Sequence, residues 1–328
     1  MIVVTGGTGH VGNVLVRQLL SIGEEVKVVI PPFENETSLK GLDVEKVEGD
    51  ILNINSLYKA FKDAQVVYHL AAVISTMPGK NELMRSVNVD GTINVIKACL
   101  DCGISRMVYT SSIHALADVP KGEIIDESVP FDPYTRRRGE YDRTKAQASL
   151  EVLKAVEEQG LDAVIVCPTG VVGPWDFKPS QMGQFFLSFA KKKLKAYVGG
   201  AFNFVDVRDV ARGLILACQK GLCGERYIIS GELITIEEMM SVLQDITGVE
   251  PPRFKMPAWA AKIIAFFAVA YSQLVNKEPL FTKYSIDTIV NPPLVSHEKA
   301  TRELGYHHYP IRNSIRDIIK WFQKMDML

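Results

Sequence analysis

Tyr141 and Lys145 stand four residues apart in the run Tyr141-Asp-Arg-Thr-Lys145, a spacing that puts a phenol and an ammonium on one face of a helix. A phenol near its reference pKa of about 10 must move by roughly three units to exchange protons at neutral pH, which is about 4 kcal/mol. One cation at about 4 Å, across an effective dielectric near 20, supplies a similar energy. Lys145 is therefore expected to lower the pKa of Tyr141, and no metal is required. The spacing alone does not decide, because Tyr58-Lys-Ala-Phe-Lys62 repeats it. Position separates the two. Arg106-Met-Val-Tyr-Thr-Ser-Ser112 reads as a strand that ends in two serines just upstream of Tyr141, whereas Tyr58 falls on an earlier crossover helix. Ser112 can hold a substrate oxygen while Tyr141 gives or takes a proton.

The elements that must position these groups begin with the first dozen residues. Ile2 to Val4 is a short buried strand. It breaks at Thr5-Gly6-Gly7, and a helical pattern resumes through Val11, Leu15, Leu19 and Leu20. Gly6, Gly9 and Gly12 form a tight strand-to-helix turn in which backbone N–H groups and the helix N-terminus can approach a pyrophosphate. Thr5, Gly6, Gly9, His10, Val11 and Gly12 are thus candidate dinucleotide contacts, and a bound nicotinamide would exchange a hydride with the substrate carbon. Glu25 to Ile30 is a second strand, ended by Pro31-Pro32. At its end a carboxylate selects the ribose hydroxyl and an arginine the 2′-phosphate. Pro31 can do neither, and the acidic loop Phe33-Glu34-Asn35-Glu36 would repel a phosphate, so NAD(H) is favoured over NADP(H).

Further strands are expected at 44–47, 66–72 and 163–167, and helices at 55–62, 82–102 and from about Gly139. Asp50 and Ile51, after the third strand, can meet adenine. Leu70, Ala71 and Ala72 give small side chains where a cofactor crosses the sheet edge, and Pro168 closes the sixth strand on the same edge. His114, Val172 and Trp175 are candidate substrate contacts, and Asn88 is a brace for the backbone. Alternating strands and helices imply an α/β doubly wound parallel Rossmann sheet. Residues 1–167 form the dinucleotide-binding domain, and 168–328 a smaller, mostly helical substrate lobe interleaved with it. Strands near 204–207 and 226–229 are candidates to return to the first domain.

A net charge of −1 shows no electrostatic footprint for nucleic acid or anionic lipid. Lys191-Lys192-Lys193 and Arg136-Arg137-Arg138 read as solvated faces. The five cysteines suit a reducing compartment, and Cys99-Leu-Asp-Cys102 lacks the second pair or histidine that a metal site needs. The first strand starts at once, with no leader before it, so a cytoplasmic location is expected. Trp259 to Tyr271 is apolar but too short to span a bilayer, and Lys262 interrupts it. It reads first as a core or lid helix, with monotopic membrane contact or a wall for an oily substrate as the alternatives.

Taken together, Thr5-Gly-Gly-Thr-Gly-His-Val-Gly12, Asp50, His69-Leu-Ala-Ala72, Asn88-Val-Asp-Gly-Thr92, Tyr109-Thr-Ser-Ser112 and Tyr141 with Lys145 resemble the extended short-chain dehydrogenase/reductase family. Phe204-Val-Asp-Val-Arg-Asp-Val-Ala211 and Glu298 to Tyr306 extend the likeness over nearly the whole chain. The resemblance implies catalytic Ser112, Tyr141 and Lys145, cofactor contacts from Gly6, Gly9, Gly12 and Asp50, a Lys145 contact to the nicotinamide ribose, and a homodimer through helices near 82–102 and 141–159. Nucleotide-sugar epimerases and dehydratases of the family carry Arg and Asn where this chain has Cys167 and Gly170, and an arginine just before the segment that starts at Phe204. Here Phe202-Asn203 stand there, and a diphosphate would find little to bind. Pro168-Thr-Gly-Val-Val-Gly-Pro174 resembles the dihydroflavonol reductase branch, and the tail from Pro279 to Tyr306 the 3β-hydroxysteroid dehydrogenases. Bacterial hopanoid-associated sugar epimerases are similar there too. The expected activity is interconversion of a secondary alcohol and a ketone on a largely apolar small molecule. A nucleotide-sugar epimerase or dehydratase and a non-catalytic NAD(P) sensor stand as alternatives.

Overall fold

The computed structural model describes the chain except for residues 76, 78, 80, 135–138, 276–278 and 280 and the side chains of 270–275. The arginine run at 136–138 lies outside the described residues.

The N-terminal half alternates strands and helices, as its apolar runs dictate. The order is β1 (Ile2–Thr5), α1 (His10–Ser21), β2 (Val26–Ile30), β3 (Glu45–Glu48), α2 (Ile54–Phe61) and β4 (Val66–His69). It continues with α3 (Glu82–Arg85), a π-helical turn over Ser86–Asp90, α4 (Gly91–Asp101), β5 (Arg106–Thr110), β6 (Ile124–Ile125), α5 (Glu140–Gln159) and β7 (Ala163–Pro168). The second half holds β8 (Gly170–Val172), α6 (Gln181–Ala190), β9 (Ala196–Tyr197), β10 (Ala201–Asp206), α7 (Val207–Lys220), β11 (Arg226–Ile229) and β12 (Glu232–Thr235). It closes with α8 (Ile236–Thr247), β13 (Phe254–Lys255), α9 (Ala258–Val275), α10 (Lys283–Val290), β14 (Leu294–Val295), α11 (Glu298–Leu304) and α12 (Ile311–Lys324).

Among the described residues seven parallel strands form the central sheet, in the order β3-β2-β1-β4-β5-β7-β11. The inner strands read as largely apolar runs because helices cover both faces, whereas the edge strand β3 is polar and mostly exposed; the two apolar layers lie on opposite sides of the sheet. The order reverses between β1 and β4, which opens a crevice at their carboxyl ends. The segment at 226–229 joins this sheet as its edge strand β11, whereas 201–206 pairs with β8 and β12 in a separate three-stranded sheet. That small sheet, with α6, α8 and α12, builds the apolar core of the second lobe.

One expectation is refined and one is corrected. The helix expected over 82–102 runs uninterrupted from Glu82 to Asp101 and widens into a π-helical turn at 86–90. The wider turn lets the Asn88 side chain leave the helix sideways and bond the chain at Val73, a use that π-bulges often serve near functional sites. The segment 258–275 is a helix but not a core one. Ala261 and Ala265 are buried, while Trp259, Phe266 and Phe267 are about two-thirds exposed, at 68%, 69% and 65%. Small residues allow close packing on one side and leave the large rings outside.

Candidate functional site

The glycine turn sits at the switch point, and its geometry explains its composition. Gly6 has φ +75°, and a Cβ there would meet the Ala71 backbone at 2.6 Å; a Cβ on Gly12 would meet Gly6 O at 2.1 Å. β1, the turn and the loop after β4 are therefore in contact at atomic distance. A Cβ on Gly9 meets only Gly6 O at 3.3 Å, so the outer side of the turn is open. α1 starts without a capping side chain or an acidic residue in its first turn, which leaves its N-terminal amides and positive dipole end for an anion. The residues present fit a dinucleotide pyrophosphate at this point.

A neutral histidine locks the crevice. His69 is fully buried; Nδ1 lies 2.7 Å from Thr5 Oγ1 and Nε2 3.0 Å from Thr92 Oγ1. Burial, with Lys145 nearby, pulls its pKa down to about 3. It ties β1, β4 and α4 together beneath the loop Leu70–Ala72, whose three residues are partly exposed at the sheet edge. Asp50 follows β3; its carboxylate accepts from Leu52 N at 2.9 Å. Ile51 is buried against Gly91, where a Cβ would meet its side chain at 2.6 Å. The His10 side chain turns away from the turn, with Nε2 2.9 Å from Pro174 O, so its backbone is what remains for a ligand. Val11 is partly exposed beside it, and Pro168 is the buried last residue of β7.

Across the crevice, β5 delivers Ser111 and Ser112 and α5 delivers Tyr141 and Lys145. Ser111 Oγ bonds Ser149 Oγ at 2.7 Å, and Ser149 Oγ donates to Lys145 O at 2.8 Å. Ser112, 6% exposed, accepts from His114 N at 3.2 Å. Burial pushes the Tyr141 phenol up to about 12, and a hydrogen bond between the Ser112 and Tyr141 side chains pulls the other way. Lys145 is 3% exposed; Nζ donates to Thr110 O at 2.5 Å and lies 4.5 Å from the centre of the Tyr109 ring. Burial lowers its pKa to about 7. The protein groups by themselves thus hold the phenol above its ordinary value, not below it as the four-residue spacing implies. Lys145 shares the helix face but bonds the end of β5, and its own burial weakens its charge. Beside it Thr110 Oγ1 is buried without a hydrogen-bond partner among the described residues, a donor and acceptor left for a bound group. When a nicotinamide dinucleotide is bound here it supplies or accepts the hydride. Tyr141, Ser112 and Lys145 line this side of the crevice, with Lys145 Nζ at the end of β5.

Asn88 braces this wall: Oδ1 accepts from Val73 N at 2.8 Å and Nδ2 reaches Val73 O and Thr144 Oγ1, each at 3.0 Å. Thr144 in turn donates to Tyr141 O at 3.0 Å. Tyr58, in contrast, donates to Asp101 on α4 at 2.6 Å and stands away from the crevice.

The substrate candidates separate. His114 belongs to the site: its ring stacks on Phe202 at 5.9 Å between centroids, and Nδ1 lies 3.0 Å from Tyr284 Oη. Val172 is corrected, since it is 1% exposed inside the second lobe's core and cannot face a ligand. The Trp175 contacts run to α1: its carbonyl accepts from Asn13 at 3.2 Å, and Arg17 sits 5.7 Å over its ring. The structure therefore groups Trp175 with the glycine turn. Sequence reading missed Tyr284, Asp142 and Phe202. Tyr284 donates to the buried Asp142 carboxylate at 2.8 Å, which latches α10 to α5. No local pattern announces a partner 142 residues away.

With this geometry in view, comparison with known proteins decides the family. Residues 2–230 match the model of the NAD dependent epimerase/dehydratase family. The chain belongs to that family. Sterol demethylase protein B of Methylococcus capsulatus is 36% identical over 330 residues, covering 99% of both chains. A Synechocystis sp. protein named after dihydroflavonol 4-reductase is 34% identical and covers 98% of this chain and 94% of its own. The 3beta-hydroxysteroid-dehydrogenase/decarboxylase isoform 1 of Arabidopsis thaliana is 30% identical, covering 98% and 80%. Among solved structures, gox2253 superposes with a TM-score of 0.87 at 32% identity over 100% of this chain and 99% of that one. This extended short-chain dehydrogenase/reductase is an enzyme of the dihydroflavonol reductase and 3β-hydroxysteroid dehydrogenase branch.

Proposed function

We propose that the protein interconverts a secondary alcohol and a ketone on a largely apolar small molecule, using NAD(H). The observation that carries the substrate class is the wall next to Ser112. Phe202 stacks on His114, and Asn203 is turned inward, accepting from Thr169 Oγ1 at 3.0 Å and Gly231 N at 3.2 Å. Neither residue can supply the bidentate cation that a sugar-nucleotide diphosphate needs. The printed names of the relatives, a sterol demethylase protein and a hydroxysteroid dehydrogenase/decarboxylase, point to the same chemistry.

Tyr141 is the acid/base, Ser112 fixes the reacting oxygen, and Lys145 holds the ribose and, once the phenol ionises, favours the phenolate. NAD(H) rests on Pro31 at the end of β2. The acidic loop adds less than its sequence implies, because Glu34 is paired with Lys178 and Glu36 with Lys46. The test is turnover with a panel of 3-keto and 3-hydroxy sterols, steroids and flavonoids, beside thermal shifts with UDP-, GDP- and dTDP-sugars. Oxidation or reduction of a polycyclic substrate, lost in Tyr141→Phe, supports the reading. A melting shift with a nucleotide sugar and none with the apolar panel overturns it. A homodimer through α4 and α5 is proposed as well; size-exclusion chromatography with light scattering tests it.

A further inference from the structure

We propose that α9 docks the protein on an anionic lipid surface, lying in the headgroup plane and not crossing the bilayer. Three observations meet here. First, the helix turns its large side chains outward: Trp259, Ile263, Ile264, Phe266 and Phe267 are all exposed, and Phe254 and Phe281 beside it are too. Contiguous exposed aromatic and aliphatic side chains of this kind mark an interaction surface. No helix among the described residues is long and apolar enough to cross a membrane, so the surface geometry of an interfacial helix applies.

Second, the chain entering α9, whose Arg253 and Lys255 pair with Glu250 and Glu237, lies beside a lysine cluster. β13 pairs in parallel with β9, which brings Arg253 level with Lys195, next to the turn that carries Lys191, Lys192 and Lys193. These residues are exposed, and the four lysines have no acidic partner among the described residues. A net charge near zero hides this local cluster. Lysines and arginines beside an apolar helix attract anionic headgroups, while Trp259 at its first turn suits the interface. The charge identifies a lipid surface as the occupant.

Third, a cavity of about 230 Å³ lies beneath the helix, lined by Tyr197, Met256, Ile264, Ala265, Phe281 and Ile286 among others. Ile264 and Phe281 belong both to this cavity and to the exposed face. Ile286 lies on α10, two residues from Tyr284, which touches His114 and Asp142. Lipid face, cavity, α10 and α5 thus stand in series, and Lys262 is ion-paired with Asp287 to hold α9 on α10. The docking surface does not depend on the substrate class proposed above.

The test is flotation of the full-length protein with vesicles of phosphatidylcholine alone and of phosphatidylcholine mixed equally with phosphatidylglycerol. The wild type is expected to float with the mixed vesicles and far less with the neutral ones. Lys192→Gln/Lys193→Gln is expected to weaken partitioning by roughly ten- to thirtyfold, from about 1 kcal/mol per charge near the surface. Trp259→Ser/Phe266→Ser/Phe267→Ser is expected to stay in the soluble fraction, with its thermal shift on adding NAD unchanged as the check of folding. Should that variant not fold, a single substitution decides: brominated phosphatidylcholine in the mixed vesicles is expected to quench the Trp259 emission of the wild type, a signal missing in Trp259→Phe. Wild type that stays unbound with both vesicles, binding that survives the triple substitution, or a self-associated species with α9 cross-linked to a second copy and no vesicle binding would each overturn the proposal.

Discussion

Replacing Lys145 by Met is expected to abolish turnover and yet stabilise the cofactor-free protein at low pH. Burial brings this ammonium from its ordinary 10.5 down to about 7. Between those values the unfolded chain holds a proton that the folded chain has released, so folding gains stability as pH rises through the window. Below about pH 7 both states are protonated and the folded protein carries the full cost of the buried charge. At 1.36 kcal/mol per unit, the shift of about 3.5 units amounts to roughly 5 kcal/mol at its limit. Raising the pH from 6 to 9 recovers about 2 to 3 kcal/mol of this in the wild type and nothing in Lys145→Met, which has no proton to lose. The lost bond to Thr110 O costs the variant about 1 kcal/mol, at every pH. The assay is urea denaturation of both proteins at pH 6 and pH 9 without cofactor. Taking the difference between the proteins cancels the other titrating groups. A stability gap that stays constant between the two pH values, to within about 0.5 kcal/mol, would refute the argument that Lys145 is buried against its charge.

Gly12→Ala is expected to abolish NAD binding in calorimetry, because its Cβ would lie 2.1 Å from Gly6 O, whereas Tyr141→Phe is expected to bind NAD and lose turnover by about 10²- to 10⁴-fold. Asn88→Ala is expected to cost about 2 kcal/mol in denaturant unfolding, since it removes both bonds to the Val73 backbone and the one donated to Thr144 Oγ1; kcat should fall as the backbone under Tyr141 loosens, while a kcat equal to wild type would count against the bracing role. Arg208→Met is expected to destabilise by about 3 kcal/mol, because Asp206 is fully buried and bonded by that guanidinium at 2.7 and 2.8 Å; an unchanged denaturation midpoint would show that the carboxylate is satisfied elsewhere.

Local physics made much of this protein readable before any coordinates. Short apolar runs of four to six residues specify β1, β2, β4, β5 and β7, because strands buried on both faces need no polar alternation. The glycine turn was legible since Gly6 and Gly12 answer a backbone contact within the same short segment. Tyr141 with Lys145 was legible because helical periodicity puts them on one face. Tertiary structure decided what depends on partners distant along the chain. The phenol and amine are governed by burial, which places Lys145 against Thr110 O and holds Tyr141 above its ordinary pKa, an outcome that spacing cannot contain. His69, Asn88 and the Tyr284–Asp142 latch act through contacts spanning 56 to 142 residues. Val172 and α9 exchanged their expected places, the valine inside and the aromatic helix outside, because apolarity alone does not state which apolar surface finds a neighbour. A sequence names the groups that must be buried, and only packing decides which remain facing water or lipid.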